Sequence, residues 1–298
     1  MSLMQLGMTL PIMEPDLGPD TLEDWSRAID AGPFSSLCFG ERMAFDNPET
    51  LTLLGAVAAW TERVRLVTTV IVPQLHEPVM LAKALATGDV LSKGRLTAGF
   101  GVGGRDEDYR AVGAPMSSKT MAGMAERVAV MKRVWAGEKV TEAQRPVGPA
   151  PVQHGGPEIL VGTTGPKTIQ SASVWADGLA GFELDLDLAR TETLFDVART
   201  AWSDAGRPAP RLTTSFWFAL DDGDGSARVQ MHRHLRHYMN WLPVDLVDAL
   251  APAAGFAGTE AELLDVLKRF EDIGTDEVQL VPTGSDISAV HRIAAAIS

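Results

Sequence analysis

Short apolar runs alternate along this chain with longer stretches in which apolar residues recur every three or four positions. Runs of the first kind predict buried strands and stretches of the second kind predict amphipathic helices. Met4–Leu10 predicts a first strand, followed by a helix from about Thr21 with Asp20 and Glu23 placed as a capping box. Ser36–Phe39 predicts a second strand, and Asn47-Pro48 caps and opens a helix through Leu51, Leu54, Val57 and Ala58. Val64–Val72, rich in β-branched residues, predicts a third strand, and its helix carries Met80, Ala84, Leu85 and Leu91 and stops near Gly94. Arg95–Phe100 predicts a fourth strand. After a polar loop, Met121, Met124, Val128, Met131 and Trp135 mark a helix ending at Gly137. Ile159–Val161 is the fifth strand, with a helix from Pro166 to about Trp175. Gly178–Phe182 is the sixth, with a helix through Leu188, Phe195, Ala198 and Trp202 to Gly206. Leu212–Leu220 is the seventh, followed by helical segments at about Val229–Leu250 and after a capping box at Thr259–Glu262. Val278–Pro282 is the eighth, and Ile287–Ile297 closes the chain.

Eight strand–helix alternations in 298 residues have the size and order of an α/β (β/α)8 TIM barrel, with a doubly wound open sheet as the alternative. The stretch Arg145–Pro157, rich in Pro and Gly, reads as a loop inside a domain, so residues 1–298 are expected to form a single domain. In a barrel the chemistry sits on loops at the C-terminal strand ends. Here those loops begin at Gly40, Pro73, Gly101, Gly162, Glu183, Asp221 and Thr283.

Composition narrows the classes. Hydrophobic residues make up 45% and charged residues 22%, with a formal net charge of −13. Such an acidic chain is a poor partner for nucleic acid or anionic membranes. No apolar run has the length to span a bilayer, and no signal-peptide pattern opens the chain. Met1-Ser2-Leu3 reads as a cloning remnant ahead of Met4. Cys38 is the single cysteine, which rules out an internal disulfide and a cysteine-based zinc site. A cytoplasmic protein is expected.

An anionic ligand must then find a local site, and Gly162-Thr163-Thr164-Gly165-Pro166-Lys167-Thr168 offers one. A buried strand breaks into this turn, and Pro166 opens a helix whose first N–H groups point at the turn. Two glycines permit close approach, Thr163 and Thr164 add hydroxyl donors, and Lys167 adds a charge. The plainer alternative is an ordinary strand-to-helix turn with an exposed lysine. Gly99-Phe100-Gly101-Val102-Gly103-Gly104 matches the dinucleotide fingerprint literally. It follows a fourth strand rather than a first, and Arg105-Asp106-Glu107-Asp108 comes next, so a Rossmann site is disfavoured. It reads better as a strand end where a flat ring or a phosphate lies against glycine backbone, or as glycines needed for tight barrel packing.

These segments carry a resemblance. Ser92–Gly101, the Asp108-Tyr109 pair, the helix from Glu126 to Trp135-Ala136-Gly137, Thr68–Pro73 with Glu77-Pro78, Val161–Thr168 and Trp175–Gly178 are similar, in order, to signatures of the luciferase-like monooxygenase superfamily. The resemblance implies a bacterial-luciferase-like TIM barrel that binds the deazaflavin F420 or, alternatively, FMN. The Gly-Pro-Lys-Thr turn looks more like the F420-dependent branch. The implied cofactor-binding residues are Thr69, Val70, Gly101, Gly103 and Gly162–Thr168. The family's third strand usually ends in a non-proline cis peptide, which by position is Thr69–Val70, with Val70 against the ring. The implied activity is F420-dependent hydride transfer to or from a small organic substrate. The alternatives are an FMN monooxygenase using oxygen and a flavin-binding barrel without turnover. A homodimer is implied as well. Two departures stand out. Gly40-Glu41 replaces an Asp-His pair common after the second strand, and Gly104-Arg105 stands where some F420 sugar-phosphate dehydrogenases carry a Glu.

Glu41, at a strand's C-terminal end, is the candidate catalytic group; its alternative is an ion pair with Arg42 or Arg63. His76 follows the third strand and is a candidate for phosphate or substrate contact, or simply a helix-start residue. His232, His234 and His237 fall on one helical stretch, where a solvated face is expected rather than a metal site. Trp217, Tyr238 and Trp241 line either an apolar substrate pocket or the core.

Overall fold

The computed structural model describes residues 4–15, 17–140, 142 and 144–298. The suggested remnant Met1–Leu3 lies outside them. The strands are β1 (Gln5–Thr9), β2 (Ser36–Phe39), β3 (Arg65–Thr68), β4 (Leu96–Gly101), β5 (Glu158–Gly162), β6 (Gly178–Ala180), β7 (Arg211–Leu220), β8 (Phe256–Gly258) and β9 (Glu277–Pro282). The helices are α1 (Pro19–Ala31), α2 (Thr50–Trp60), α3 (Pro78–Leu91), α4 (Asp106–Ala111), α5 (Met121–Trp135), α6 (Pro166–Ala172), α7 (Leu188–Asp204), α8 (Ser226–Tyr238), α9 (Val244–Leu250), α10 (Glu260–Asp272) and α11 (Ser288–Ile297). The strand order is β6-β5-β4-β3-β2-β1-β9-β7-β8, and β6 also pairs with β7, so the hydrogen-bonded order closes with β8 as an extra strand beside β7. The registers are parallel, as in Gly7↔Ser36 and Gly99↔Leu160. Parallel neighbours need a crossover connection, which the intervening helices supply.

The strands are buried along nearly their whole length, which explains why they read as continuous apolar runs. Several boundaries differ from expectation. Helix α1 starts at Pro19 behind Gly18, so Asp20 lies in its first turn and makes no capping bond. Helix α2 is capped by Glu49, whose carboxylate accepts from the N–H groups of Leu51 and Thr52, two residues beyond the expected Asn47. The segment expected to be helical at 229–250 is split between α8 and α9 at residues 239–243, and β8 was not foreseen. The capping box at Thr259 and Glu262 is present as predicted.

The residues group into two compact units: Met1–Cys38, Gly181–Phe195 and Leu212–Ser298 in one, Phe39–Ala180 and Asp196–Arg211 in the other. In the first, Trp25, Phe216, Phe218 and Phe270 are fully buried, and Phe216 stacks on Phe270 at 5.5 Å. In the second, Phe100, Tyr109, Met124 and Trp202 are buried, and Trp135 Nε1 donates to the carbonyl of Ala82.

Candidate active site

In the second unit, the C-terminal ends of β3, β4 and β5 carry the expected cofactor residues, and Glu41 follows β2. Strand β3 ends at Thr68, and the Thr69–Val70 peptide is cis, as the family resemblance implied. Ile71 rejoins the ladder opposite Phe100, and a short 3-10 turn at Pro73–Leu75 leads to α3. Gly40 packs against this segment so closely that a Cβ there would stand 2.7 Å from the carbonyl oxygen of Thr69.

Val70 is half-buried, and its methyl groups sit on glycine. A Cβ on Gly101 would lie 2.7 Å from Val70 Cγ2, and one on Gly162 3.3 Å from Cγ1. Gly99 has its would-be Cβ against the carbonyl of Thr68 and 3.5 Å from Val70 Cγ1. The glycines therefore make room for Val70 instead of presenting bare backbone. The face they build is an apolar platform with the half-buried Val70 on it. Gly103 has φ of +74° and backs onto Val72, and Gly104 meets nothing within 4 Å.

Glu41 lies beside this platform. It is buried, and both of its oxygens are engaged: Oε2 accepts from Val72 N–H at 2.9 Å, and Oε1 is 2.7 Å from His76 Nε2. The partner is thus His76 rather than Arg42 or Arg63. An ionised carboxylate can only accept, so Nε2 carries the hydrogen and a neutral His76 keeps its lone pair on Nδ1. Arg42 turns instead to Asp108, with Nε to Oδ2 at 2.8 Å. Asp108 Oδ1 accepts from Met43 N–H at 2.9 Å and Ala44 N–H at 2.7 Å, so this one side chain of α4 holds the loop that follows β2. The neighbouring Tyr109 is buried and donates to the carbonyl of Val102 at 2.7 Å. Burial pushes its phenol up to about 12, against a smaller opposing pull from Arg127. Asp108 was marked in the sequence only as half of the Asp108-Tyr109 pair, without its partners, and Gln74, whose Nε2 donates to the carbonyl of Thr120, was not singled out at all.

The turn after β5 has Gly165 at the N-cap and Pro166 opening α6. Thr168 Oγ1 donates to the carbonyl of Gly165 at 2.7 Å and is also bonded to Thr163 Oγ1. Each hydroxyl has one hydrogen, so Thr163 must donate to Thr168, and neither has a donor to spare. Of the two threonines expected to offer hydroxyls, only the exposed Thr164 keeps one. Lys167 is exposed, and its amine makes no hydrogen bond or ion pair among the described residues. An apolar platform with a free lysine and a helix start nearby fits a cofactor made of a flat ring and an anionic tail.

The first unit holds a second carboxylate–imidazole pair. His234 in α8 is buried, with Nδ1 2.5 Å from Glu14 Oε1, and Arg233 donates to Glu14 Oε2 at 3.1 Å and to the carbonyl of Thr283 at 2.9 Å. His232 pairs with Asp248. The three histidines thus do not share a solvated face, and among the described residues no three His, Cys, Asp or Glu side chains gather as a metal site. Trp217 is buried, with Phe182 at 4.7 Å and Tyr238 at 5.6 Å between ring centroids. Among the described residues no helix is long and apolar enough to cross a membrane.

The family model for the luciferase-like monooxygenases matches residues 4–280, and the chain belongs to that family. An F420-dependent glucose-6-phosphate dehydrogenase of Nakamurella multipartita is 29% identical over 217 residues, a match that takes in 66% of this chain and 62% of the relative. The chain thus spans less than two thirds of that relative's length. Among solved structures, an F420-dependent secondary alcohol dehydrogenase in complex with an F420–acetone adduct aligns with a TM-score of 0.80 at 16% identity, over 99% of this chain and 98% of that one. A monooxygenase from Streptomyces bottropensis aligns at 0.75 and 23% identity, over 99% and 96%. At these identities the likeness is one of fold, and that fold is the (β/α)8 TIM barrel.

Proposed function

We propose that this protein is an oxidoreductase that binds F420 on the platform around Val70 and moves a hydride to or from a small organic substrate. The observation that carries this reading is the seating of Val70 on Gly99, Gly101 and Gly162, which gives a flat ring an apolar support at the ends of β3, β4 and β5. The names of the relatives, F420-dependent dehydrogenases among them, support the choice of cofactor. When bound, F420 supplies the ring carbon that accepts or releases the hydride. The chain's own residues do the rest. Thr69 and Val70 support the ring, while Gly101, Gly103 and Gly162 shape the backbone under it. The turn from Thr163 through Thr168 faces the anionic tail, with Lys167 supplying charge. Glu41 fixes the tautomer and orientation of His76, so that Nδ1 of His76 is the atom able to hold or give up a proton.

The protein is further proposed to act as a homodimer. Helix α2 contains no charged residue, and with α3 it frames a groove of about 270 Å³ lined by Leu51, Leu54, Met80, Lys83, Ala84 and Leu91. Met80 is 64% and Leu91 53% exposed. Two chains of charge −13 can approach most readily through such a mostly apolar face, which carries no carboxylate and whose one charged lining residue is the cation Lys83.

The cofactor assignment is tested by titrating the protein with F420 and with FMN, read by fluorescence quenching. F420 is expected to bind more tightly. Equal or tighter FMN binding would overturn the F420 assignment and favour the monooxygenase reading.

A further inference from the structure

The Glu14–His234 pair takes no part in the cofactor reading and lies wholly within the first unit. His234 is 1% exposed. Its Nδ1 is spent on Glu14, while Nε2, on the opposite edge of the ring, is buried and has no hydrogen-bond partner among the described residues. A buried polar atom without a partner is costly, and the hydrogen bond to Glu14 makes this nitrogen a better acceptor. The imidazole stands among aromatic rings. Tyr238 stacks on it at 5.7 Å and 11°, and Trp217 meets it edge-on at 5.7 Å. This aromatic cluster reaches the surface at Phe182, which is 37% exposed. Tyr238 is the last residue of α8, half-buried, just before the chain breaks step towards α9.

We propose that His234 Nε2 is the polar contact of a binding site for a small, neutral organic molecule with one hydroxyl or carbonyl group on an apolar body. The body lies against Phe182, Trp217 and Tyr238, and its polar atom meets Nε2: a hydroxyl donates to the neutral imidazole, and a carbonyl accepts from the protonated one. A charged ligand does not suit this place. An anion would lie close to Glu14, and Arg233, the nearby cation, is already committed to Glu14 and to the carbonyl of Thr283. The site therefore disfavours a sugar phosphate, in contrast to the glucose 6-phosphate in the Nakamurella relative's name. The inference does not depend on the cofactor.

The test uses the full chain, without cofactor, titrated with cyclohexanol, cyclohexanone, methylcyclohexane and glucose 6-phosphate by ligand-observed NMR. Cyclohexanol and cyclohexanone are expected to bind saturably, and methylcyclohexane and glucose 6-phosphate at least about tenfold more weakly. In His234→Asn the amide nitrogen can still donate to Glu14, but nothing replaces Nε2. Its melting temperature is expected to stay near that of the parent while cyclohexanol affinity falls about tenfold. In His234→Gln the amide reaches the Nε2 position and the Glu14 bond is lost. The melting temperature is expected to fall while part of the cyclohexanol affinity survives. Unchanged affinity in His234→Asn overturns the proposal, as does methylcyclohexane binding the parent as tightly as cyclohexanol, or no saturable binding at all. Should His234→Asn fail to fold, the comparison of cyclohexanol with methylcyclohexane on the parent chain decides alone.

Discussion

Single side chains in this protein divide between those that build the proposed cofactor platform and those that would hold charge on it. Lys167 is of the second kind: exposed, on the first turn of α6, and bonded to no other described residue. A charge-assisted hydrogen bond to phosphate contributes on the order of 1.5–3 kcal/mol. Lys167→Glu is therefore expected to weaken F420 binding by at least about tenfold and to flatten its salt dependence. Unchanged affinity in a titration at two ionic strengths would place Lys167 in solvent. Tyr109 gives a prediction about pH. Its unfolded phenol ionises at its ordinary value of 10.0, while in the fold it holds its proton to about 12. The stability it contributes is fully present below pH 10 and is lost as the pH rises towards 12. Tyr109→Phe should flatten that alkaline decline in denaturant midpoints measured from pH 9 to 12; an unaltered slope would show that other groups set it. Position in the sequence pointed to Gly162, Lys167 and Glu41 but not to the side chains that Gly162 and Glu41 meet, Val70 and His76. The ion pair with Arg42 or Arg63 offered as the alternative for Glu41 is not what forms: its partner His76 is 35 residues away and arrives only because β2 and β3 end side by side. Nothing local in a sequence announces such a meeting.

Among the elements, the strongly periodic ones were the most legible. Helix α5 spans Met121–Trp135 as its apolar spacing predicts, and the Thr259–Glu262 capping box opens α10. Starts and breaks were harder to read. Proline at the first helical position decided α1 over the carboxylates behind it, and a short β8 is too brief to leave a pattern of its own. The pair α2 and α3 looked like ordinary barrel helices in sequence, yet Met80, which was assigned to an apolar face, is largely exposed. If that face joins two copies, Met80→Lys sets like charges against an apolar partner. Light scattering should then give 31.9 kDa for the variant and twice that mass for the parent. A parent that is monomeric at all concentrations would remove the dimer.

At the scale of the whole molecule, the chain passes between its two compact units four times, at 38–39, 180–181, 195–196 and 211–212. Neither unit is a continuous piece of chain, so neither can be released by cutting a linker. We propose that residues 1–298 unfold as one cooperative domain, and circular dichroism and tryptophan fluorescence should then report coincident transitions in urea. Two separated transitions would make the units independent domains. The closed strand order was legible because eight alternations leave few other topologies open, whereas the division into units was not, since it depends on contacts that no local pattern encodes. Asp108 shows what such contacts mean for the history of the protein. It grips Arg42, Met43 and Ala44 from 64 to 66 residues away, so the loops after β2 and β4 share one fastener. Insertions, deletions and charge reversals in either loop should survive in descendants only alongside a matching change in the other, and the two loops will be inherited as a single trait.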